Sequence, residues 1–228
     1  DPQVFEKSNG DLWKLSVRVA FSSPAKGDGS DWFKVSQDGS DLETRWTPSG
    51  ADDGAGMVVI DGIRRNGRPL SVAVTADGAG MESDVSLPEI KIPDGNALGV
   101  LWAGQWSRDG RNGFEALLSD PAGAVSDLEG LARVEGSSKN VQIEQNGARL
   151  RLSWEGRPGP AKFVLDKGLP TATGQKLTER FELDGVFQDL KPSVTFQGSG
   201  VVLPSPGADQ VHFRSVNLSR VRVVVRRV

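Results

Sequence analysis

Few side chains in this sequence are equipped for bond-making chemistry, and those few stand apart from one another. The 228 residues include one histidine, no cysteine and no tyrosine. That excludes a thiolate nucleophile, a cysteine metal site and a disulfide framework, and it reduces the commonest general base to His212. A general base needs an orienting group and a metal needs further ligands. No such partner is evident around His212, which precedes Phe213 in a strand-rich stretch and reads as a strand residue. Three acidic loops, Asp28-Gly29-Ser30-Asp31, Asp38-Gly39-Ser40-Asp41 and Ala51-Asp52-Asp53-Gly54, offer the hard oxygens that calcium accepts. None has alternate-position ligands with a distal glutamate, so they read as turns in which aspartate caps its own backbone. Glycoside hydrolysis needs two carboxyl groups across a cleft. With 30 acidic residues such a pair arises by chance, and the sequence singles out none. The expectation is a protein that is not an enzyme, with no catalytic, cofactor-binding or metal-binding residue and no cofactor.

Binding chemistry offers more. Six tryptophans without a tyrosine is the balance of a surface that stacks on sugars. Trp46 and Trp154 fall on strands and read as core, whereas Trp102 and Trp106, separated by Ala103-Gly104-Gln105, are the better candidates for an exposed platform. The run Arg220-Val221-Arg222-Val223-Val224-Val225-Arg226-Arg227 is basic, but arginine alternating with valine describes a strand with one solvated face and a guarded edge. Gly198-Ser199-Gly200 lacks the third glycine and the following helix of a phosphate loop. The net charge of −3 supplies no field for a polyanion, so no nucleic acid partner is expected.

The elements that carry these residues are strands. Apolar residues make up 37% of the chain and charged residues 25%, an ordinary balance for a folded soluble protein. No run approaches the roughly 18 apolar residues of a membrane span, and no basic segment precedes an apolar one at the start, as in a soluble segment without its targeting signal. Glycines (28) and prolines (13) punctuate the whole length. Between them, period-2 or β-branched stretches predict strands at 12–21, 57–60, 70–74, 85–92, 98–102, 148–154, 162–165, 176–183, 194–196 and 220–225. Turn pairs such as Asn66-Gly67, Asp77-Gly78 and Asn146-Gly147 fill the gaps. Residues 122–134 alone approach helical spacing, and Gly123 and Gly130 limit them to a turn or two. Many short strands without helical crossovers predict an all-β fold of tandem antiparallel β-sandwich domains.

Four segment pairs in the same order suggest an internal duplication. Residues 21–25 resemble 118–122, 42–46 resemble 150–154, 59–63 resemble 164–169, and 66–70 resemble 173–177. The predicted division is a first sandwich at 1–93, a second at 94–190 and the opening strands of a further domain at 191–228. Ile92-Pro93-Asp94-Gly95 would join the two copies. That link and the stretch 186–192 are the expected places for movement.

The second copy and its continuation resemble bacterial alpha-2-macroglobulin-like proteins in their N-terminal part. The resemblance is carried by Phe114-Glu115-Ala116-Leu117-Leu118-Ser119-Asp120-Pro121 followed by Asp127-Leu128-Glu129-Gly130-Leu131, and by Leu165-Asp166-Lys167-Gly168-Leu169 with Gly174-Gln175-Lys176-Leu177. Its most specific part is the run from Leu190-Lys191-Pro192 to Val201-Val202-Leu203-Pro204, continued by Val216-Asn217-Leu218-Ser219-Arg220-Val221-Arg222-Val223, which is similar to the opening of a macroglobulin-type domain. It spans 94–228 directly and 1–93 through the internal repeat. The resemblance implies macroglobulin and Ig-like modules from a periplasmic or cell-envelope, exported protease trap. Its partners would be proteases, met through the full-length parent, and neighbouring macroglobulin domains, with membrane contact only through an anchor outside this segment. Thioester-bearing members carry a C-x-E-Q motif; Gln142-Ile143-Glu144-Gln145 matches only its last two positions, so no thioester forms in this segment. The alternative is a secreted carbohydrate-binding or adhesive tandem Ig-like module, which would show an exposed tryptophan platform. A sandwich hydrolase would need two close carboxylates in a cleft.

Overall fold

A computed structural model of the chain describes residues 2–21, 29, 31–49, 55–76, 81–108, 111–136, 140–155, 159–188, 193–196, 213–216, 218, 220–222 and 224. The chain is all-β, with antiparallel sheets that stack in pairs. In the first pair, β1 (Pro2–Lys7), β2 (Leu12–Ala20), β6 (Ala55–Arg64) and β5 (Thr44–Pro48) form one sheet in the order β1-β2-β6-β5. Facing it is β4-β3-β7-β8, built from β3 (Phe33–Gln37), β4 (Ser40–Asp41), β7 (Leu70–Val74) and β8 (Val85–Ser86). In the second pair, β9 (Val100–Arg108), β10 (Arg111–Leu118), β12 (Gln142–Asn146) and β13 (Arg149–Glu155) form β12-β13-β10-β9. Opposite lies β11-β14-β15, from β11 (Ala132–Glu135), β14 (Gly159–Leu165) and β15 (Phe181–Phe187). Lettered in chain order, the second pair is ABED against CFG, the constant-type immunoglobulin arrangement, and the first is the same with an added short C′ strand, β4.

Each sandwich closes on alternate residues of its strands. In the first core Leu15, Val58, Ile60 and Ile63 meet Phe33, Val35, Leu70 and Val74. Ile60 and Ile63 stand an odd number of positions apart, and a regular strand would send them to opposite faces. A bulge in the β2–β6 pairing, with Gly62 at φ 83°, re-phases the strand so that both are buried. In the second core Phe114 stacks on Phe163 at 5.4 Å, and Phe187 stands edge-on to Phe114 at 5.2 Å and to Trp154 at 4.9 Å. These ring contacts tie the two sheets together across their interface.

Several expectations need correction. Arg111–Leu118 is the central strand β10, although its sequence does not alternate; every residue after Arg111 is buried, on both faces. The edge strands β1, β5 and β12 and the short β3 and β11 are further strands outside the sequence-based set. The predicted strand at 176–183 lies instead at Phe181–Phe187. Residues 122–134 hold one helical turn, α1 (Val125–Leu128), before β11 begins. Of the four repeat pairs the last three join places that are not equivalent, and in the first only Phe21 of 21–25 lies among the described residues, at the end of β2 as 118–122 lie at the end of β10. Trp46 lies on the edge strand β5 and Trp154 on the inner strand β13, so these two tryptophans are not counterparts.

Beyond β15 the described residues include a two-stranded ribbon of β16 (Ser193–Phe196) and β17 (Phe213–Val216). His212 and Gly198-Ser199-Gly200 lie outside the described residues, as do Val223 and residues 225–227 of the arginine-valine run.

Candidate functional site: the junction between the sandwiches

Among the described residues the most elaborate polar arrangement lies where the two sandwiches meet. Arg65 follows directly on β6, and its guanidinium reaches across to the loop after β10. Nη1 donates to Asp120 Oδ1 at 2.7 Å and Nη2 to Asp120 Oδ2 at 2.8 Å. Nη2 also donates to the carbonyl of Ala97 at 2.7 Å, within the connecting segment. The planar fork matches the carboxylate edge to edge, a geometry open to arginine and not to lysine. One face of the guanidinium lies 5.0 Å from the Trp13 ring, and the two charged side chains are only 5% and 9% exposed. Ser119 completes the cluster: its hydroxyl donates to Asp120 Oδ2 at 2.6 Å and accepts the Gly99 N–H at 3.0 Å.

A second charged contact lies further along the interface. Glu115 on β10 is flanked on β13 by Arg149 and Arg151, the latter donating through Nη2 at 2.5 Å and Nε at 3.0 Å. Burial pushes the Glu115 carboxyl up, but the hydrogen bonds from Arg151 and Arg149 and their charges outweigh it and hold the group below its ordinary value. Arg149 also donates to the backbone carbonyl of Gln3 at 2.8 Å, tying β1 of the first sandwich to the second.

Between these stations the interface is apolar. The β9–β10 pairing shifts register where Leu117 faces Trp102 and Leu118 faces Val100. The extra residue is Leu101, and the bulge turns it away from its own sandwich. Leu101 (7% exposed) and Leu117 (2%) are part of the first sandwich's core cluster. The link 92–95, expected to move, is held from both sides. Ile92 is buried in the first core, the Gly95 N–H donates to the Arg65 carbonyl at 3.1 Å, and Gln175 Nε2 donates to the Gly95 carbonyl at 2.9 Å. Val186, the start of the other expected hinge, is clasped by Gln105: its N–H donates to Gln105 Oε1 at 3.1 Å. Residues 189–192 lie outside the described part.

The chemistry available here is cohesion. Ser119 is 1% exposed and its proton is directed at a carboxylate already held by Arg65, so it is neither accessible nor activated as a nucleophile. Among the described residues, the acidic turns and tryptophans singled out from sequence as candidate sites supply no ligand to this carboxylate. Asp38 and Gly39 form the β3–β4 turn, both at positive φ, and Asp38 Oδ2 accepts from Asn66 Nδ2 at 2.8 Å. Parts of the other two acidic loops, 28, 30 and 51–54, lie outside the described residues. Among the described residues no cluster of three His, Cys, Asp or Glu side chains could hold a metal, and no helix is long and apolar enough to cross a membrane. Gln142–Gln145 runs along the edge strand β12, where Gln142 accepts from Arg111 and Gln145 donates to the Ala122 and Gly147 carbonyls. None of the six tryptophans is exposed. Trp102 lies over Gly104 and Trp106 over Gly113, so the pair expected to form a platform is laid flat on the sheet.

Arg65 and Asp120 carry no sequence motif that marks them. Asp120 stands in the Ser119-Asp120-Pro121 part of the family resemblance, but its partner lies 55 positions away in the other sandwich. Compared with protein-family models and with curated proteins, the chain matches none of either.

Proposed function

We propose that the chain is a non-catalytic structural arm, two β-sandwiches locked end to end, which sets the distance and orientation of the domains attached to it. The observation that carries this reading is the buried Arg65–Asp120 pair backed by Leu101 and Leu117 in the neighbouring core. A joint of this kind resists the relative domain motion that is usual across small polar interfaces. Combined with the family resemblance, the reading is of the N-terminal macroglobulin-type domains of a bacterial protease trap, exported to the periplasm or cell envelope. Proteases would meet it through the full-length parent, neighbouring macroglobulin domains would dock on it, and any membrane anchor would lie elsewhere. The buried or half-buried tryptophans count against the sugar-binding alternative.

The test uses the full-length parent and a broad-specificity serine protease such as trypsin. Cleavage of a large protein substrate is expected to slow while a small peptide substrate continues to be cut, and the chain alone is expected to leave both rates unchanged. A parent that neither binds nor slows any protease would remove the trap assignment. An arm whose two sandwiches tumble independently by NMR relaxation would remove the rigid-spacer role.

A further inference from the structure

Four asparagine-glycine pairs occur in the chain, Asn9-Gly10, Asn66-Gly67, Asn112-Gly113 and Asn146-Gly147, and the fold treats them differently. Such a pair can modify itself with water as the only co-reactant. The glycine backbone nitrogen attacks Cγ of the preceding asparagine and closes a succinimide, while the side-chain amide nitrogen leaves as ammonia with the proton that the backbone nitrogen gives up. Water then adds to one of the two ring carbonyls and breaks that carbon's bond to the ring nitrogen, leaving aspartate or isoaspartate. Glycine permits the attack because it has no Cβ to block the approach. The asparagine must still swing its side chain onto the backbone, so bonds that hold the amide or the strand oppose it. Asn112 is 9% exposed on β10, between Ser107 of β9 and Trp154 of β13, and its Oδ1 accepts from Ser107 Oγ at 2.8 Å. The space beside Gly113 is filled by the Trp106 ring. Asn66 is exposed but held at both ends of its amide: Nδ2 donates to Asp38 Oδ2 at 2.8 Å, and Oδ1 accepts from the Arg68 N–H at 3.1 Å and from Gln37 Nε2 at 3.3 Å. Asn9 and Asn146 are exposed, and among the described residues no hydrogen bond restrains either side chain. Asn9 lies in the β1–β2 connection and Asn146 ends β12, each followed by a glycine at positive φ, 56° and 58°, with nothing where a Cβ would stand.

We propose that Asn9 and Asn146 are sites of spontaneous deamidation in the folded chain and that Asn66 and Asn112 are protected from it. Asn146 is the more consequential of the two. It pairs with Arg149 across the β12–β13 turn, and Arg149 holds both Glu115 and the Gln3 carbonyl. An isoaspartate there lengthens the main chain by one carbon and adds a carboxylate next to the joint between the sandwiches. The inference is independent of the protease-trap reading, because it rests on the local chemistry of this chain and not on the parent.

The test incubates the whole chain in mildly alkaline buffer and follows each of the four sites by peptide mapping and mass spectrometry, which reads the exchange of the amide for a carboxyl group and separates isoaspartate from aspartate by elution. Conversion at Asn9 and at Asn146 is expected to be at least roughly tenfold faster than at Asn66 and Asn112, the factor that one or two net hydrogen bonds place on a rate. In urea concentrated enough to unfold the chain, the four sites, all followed by glycine, are expected to react at similar rates. Equal rates at the four sites of the folded chain, conversion at Asn66 faster than at Asn146, or no conversion at Asn9 and Asn146 by the time the unfolded chain has reacted would each overturn the proposal. A spread that persists unchanged in urea would belong to the sequence and not to the fold, and would overturn it as well.

Discussion

A single arginine does most to define how the two halves of this chain are held. Arg65 is 5% exposed at its side chain and answers one carboxylate in a second sandwich. Removing one partner of a buried pair is costly because the other charge is left in a medium that solvates it poorly. Asp120→Asn is expected to destabilise the chain by about 3 kcal/mol, read as a lower urea midpoint. The double variant R65M/D120L, which removes both charges, should recover most of that loss; a double variant as unstable as the single would show that the pair supplies more than charge cancellation. Glu115 makes a pH-dependent contribution. Its folded carboxyl lies below the ordinary glutamate value of about 4.3, so the unfolded chain binds more protons and stability rises with pH through that window. The contribution is complete above the unfolded value and is lost as pH falls through the folded one. Glu115→Gln should therefore cost about 1–2 kcal/mol at neutral pH, a loss of charge-assisted hydrogen bonds to partly exposed arginines. That difference from the parent chain should shrink in acid; a constant difference from pH 7 to pH 3 would assign the effect to packing instead.

At the scale of elements, β10 explains most of what the sequence leaves hidden. A strand covered on one face alternates, and β2, β6, β7 and β13 were legible for that reason. β10 is covered on both faces, by Phe163 and its neighbours within and by Trp106, Arg149 and Arg151 outside, so its residues read as a run without a period. Gly113 is required there: a Cβ would stand 2.6 Å from the Trp106 ring and 2.7 Å from the Leu152 carbonyl oxygen, and the backbone oxygen cannot yield. Gly113→Ala is expected to cost about 2–3 kcal/mol through overpacking, seen as a fall in Tm of several degrees. The short edges are finished by side chains. Gln105 accepts the Val186 N–H and so occupies a position on the rim of β15 that another strand would otherwise use. In Gln105→Leu the Val186 amide should exchange with solvent faster than in the parent while the β14 amides stay protected; equal protection would mean that the clasp is decorative.

The whole molecule joins two closed cores through residues that belong to one chain segment and pack in the other sandwich. Leu101 and Leu117 lie on β9 and β10 yet are buried with Phe33, Val58 and Ile60. Coupling of this extent predicts one calorimetric unfolding transition for both sandwiches. Leu101→Ala and Leu117→Ala, each removing about 2–5 kcal/mol of buried contact, should separate it into two. Two transitions in the unsubstituted chain would show that the joint is weaker than its geometry.

Period-2 alternation and the spread of glycine and proline were enough to identify an all-β sandwich fold, because strand pattern and turn chemistry are local properties of neighbouring residues. The four segment pairs were not a guide to which strands correspond, since three of them fall at different places in the two sandwiches: equivalent strands share a place in the sheet, and little in their side chains preserves it. The junction belongs to the folded molecule. Arg65 and Asp120 become partners, Leu101 turns outward and the 92–95 link is pinned only when two distant sandwiches meet, since burial and pairing arise from contacts that no local pattern encodes.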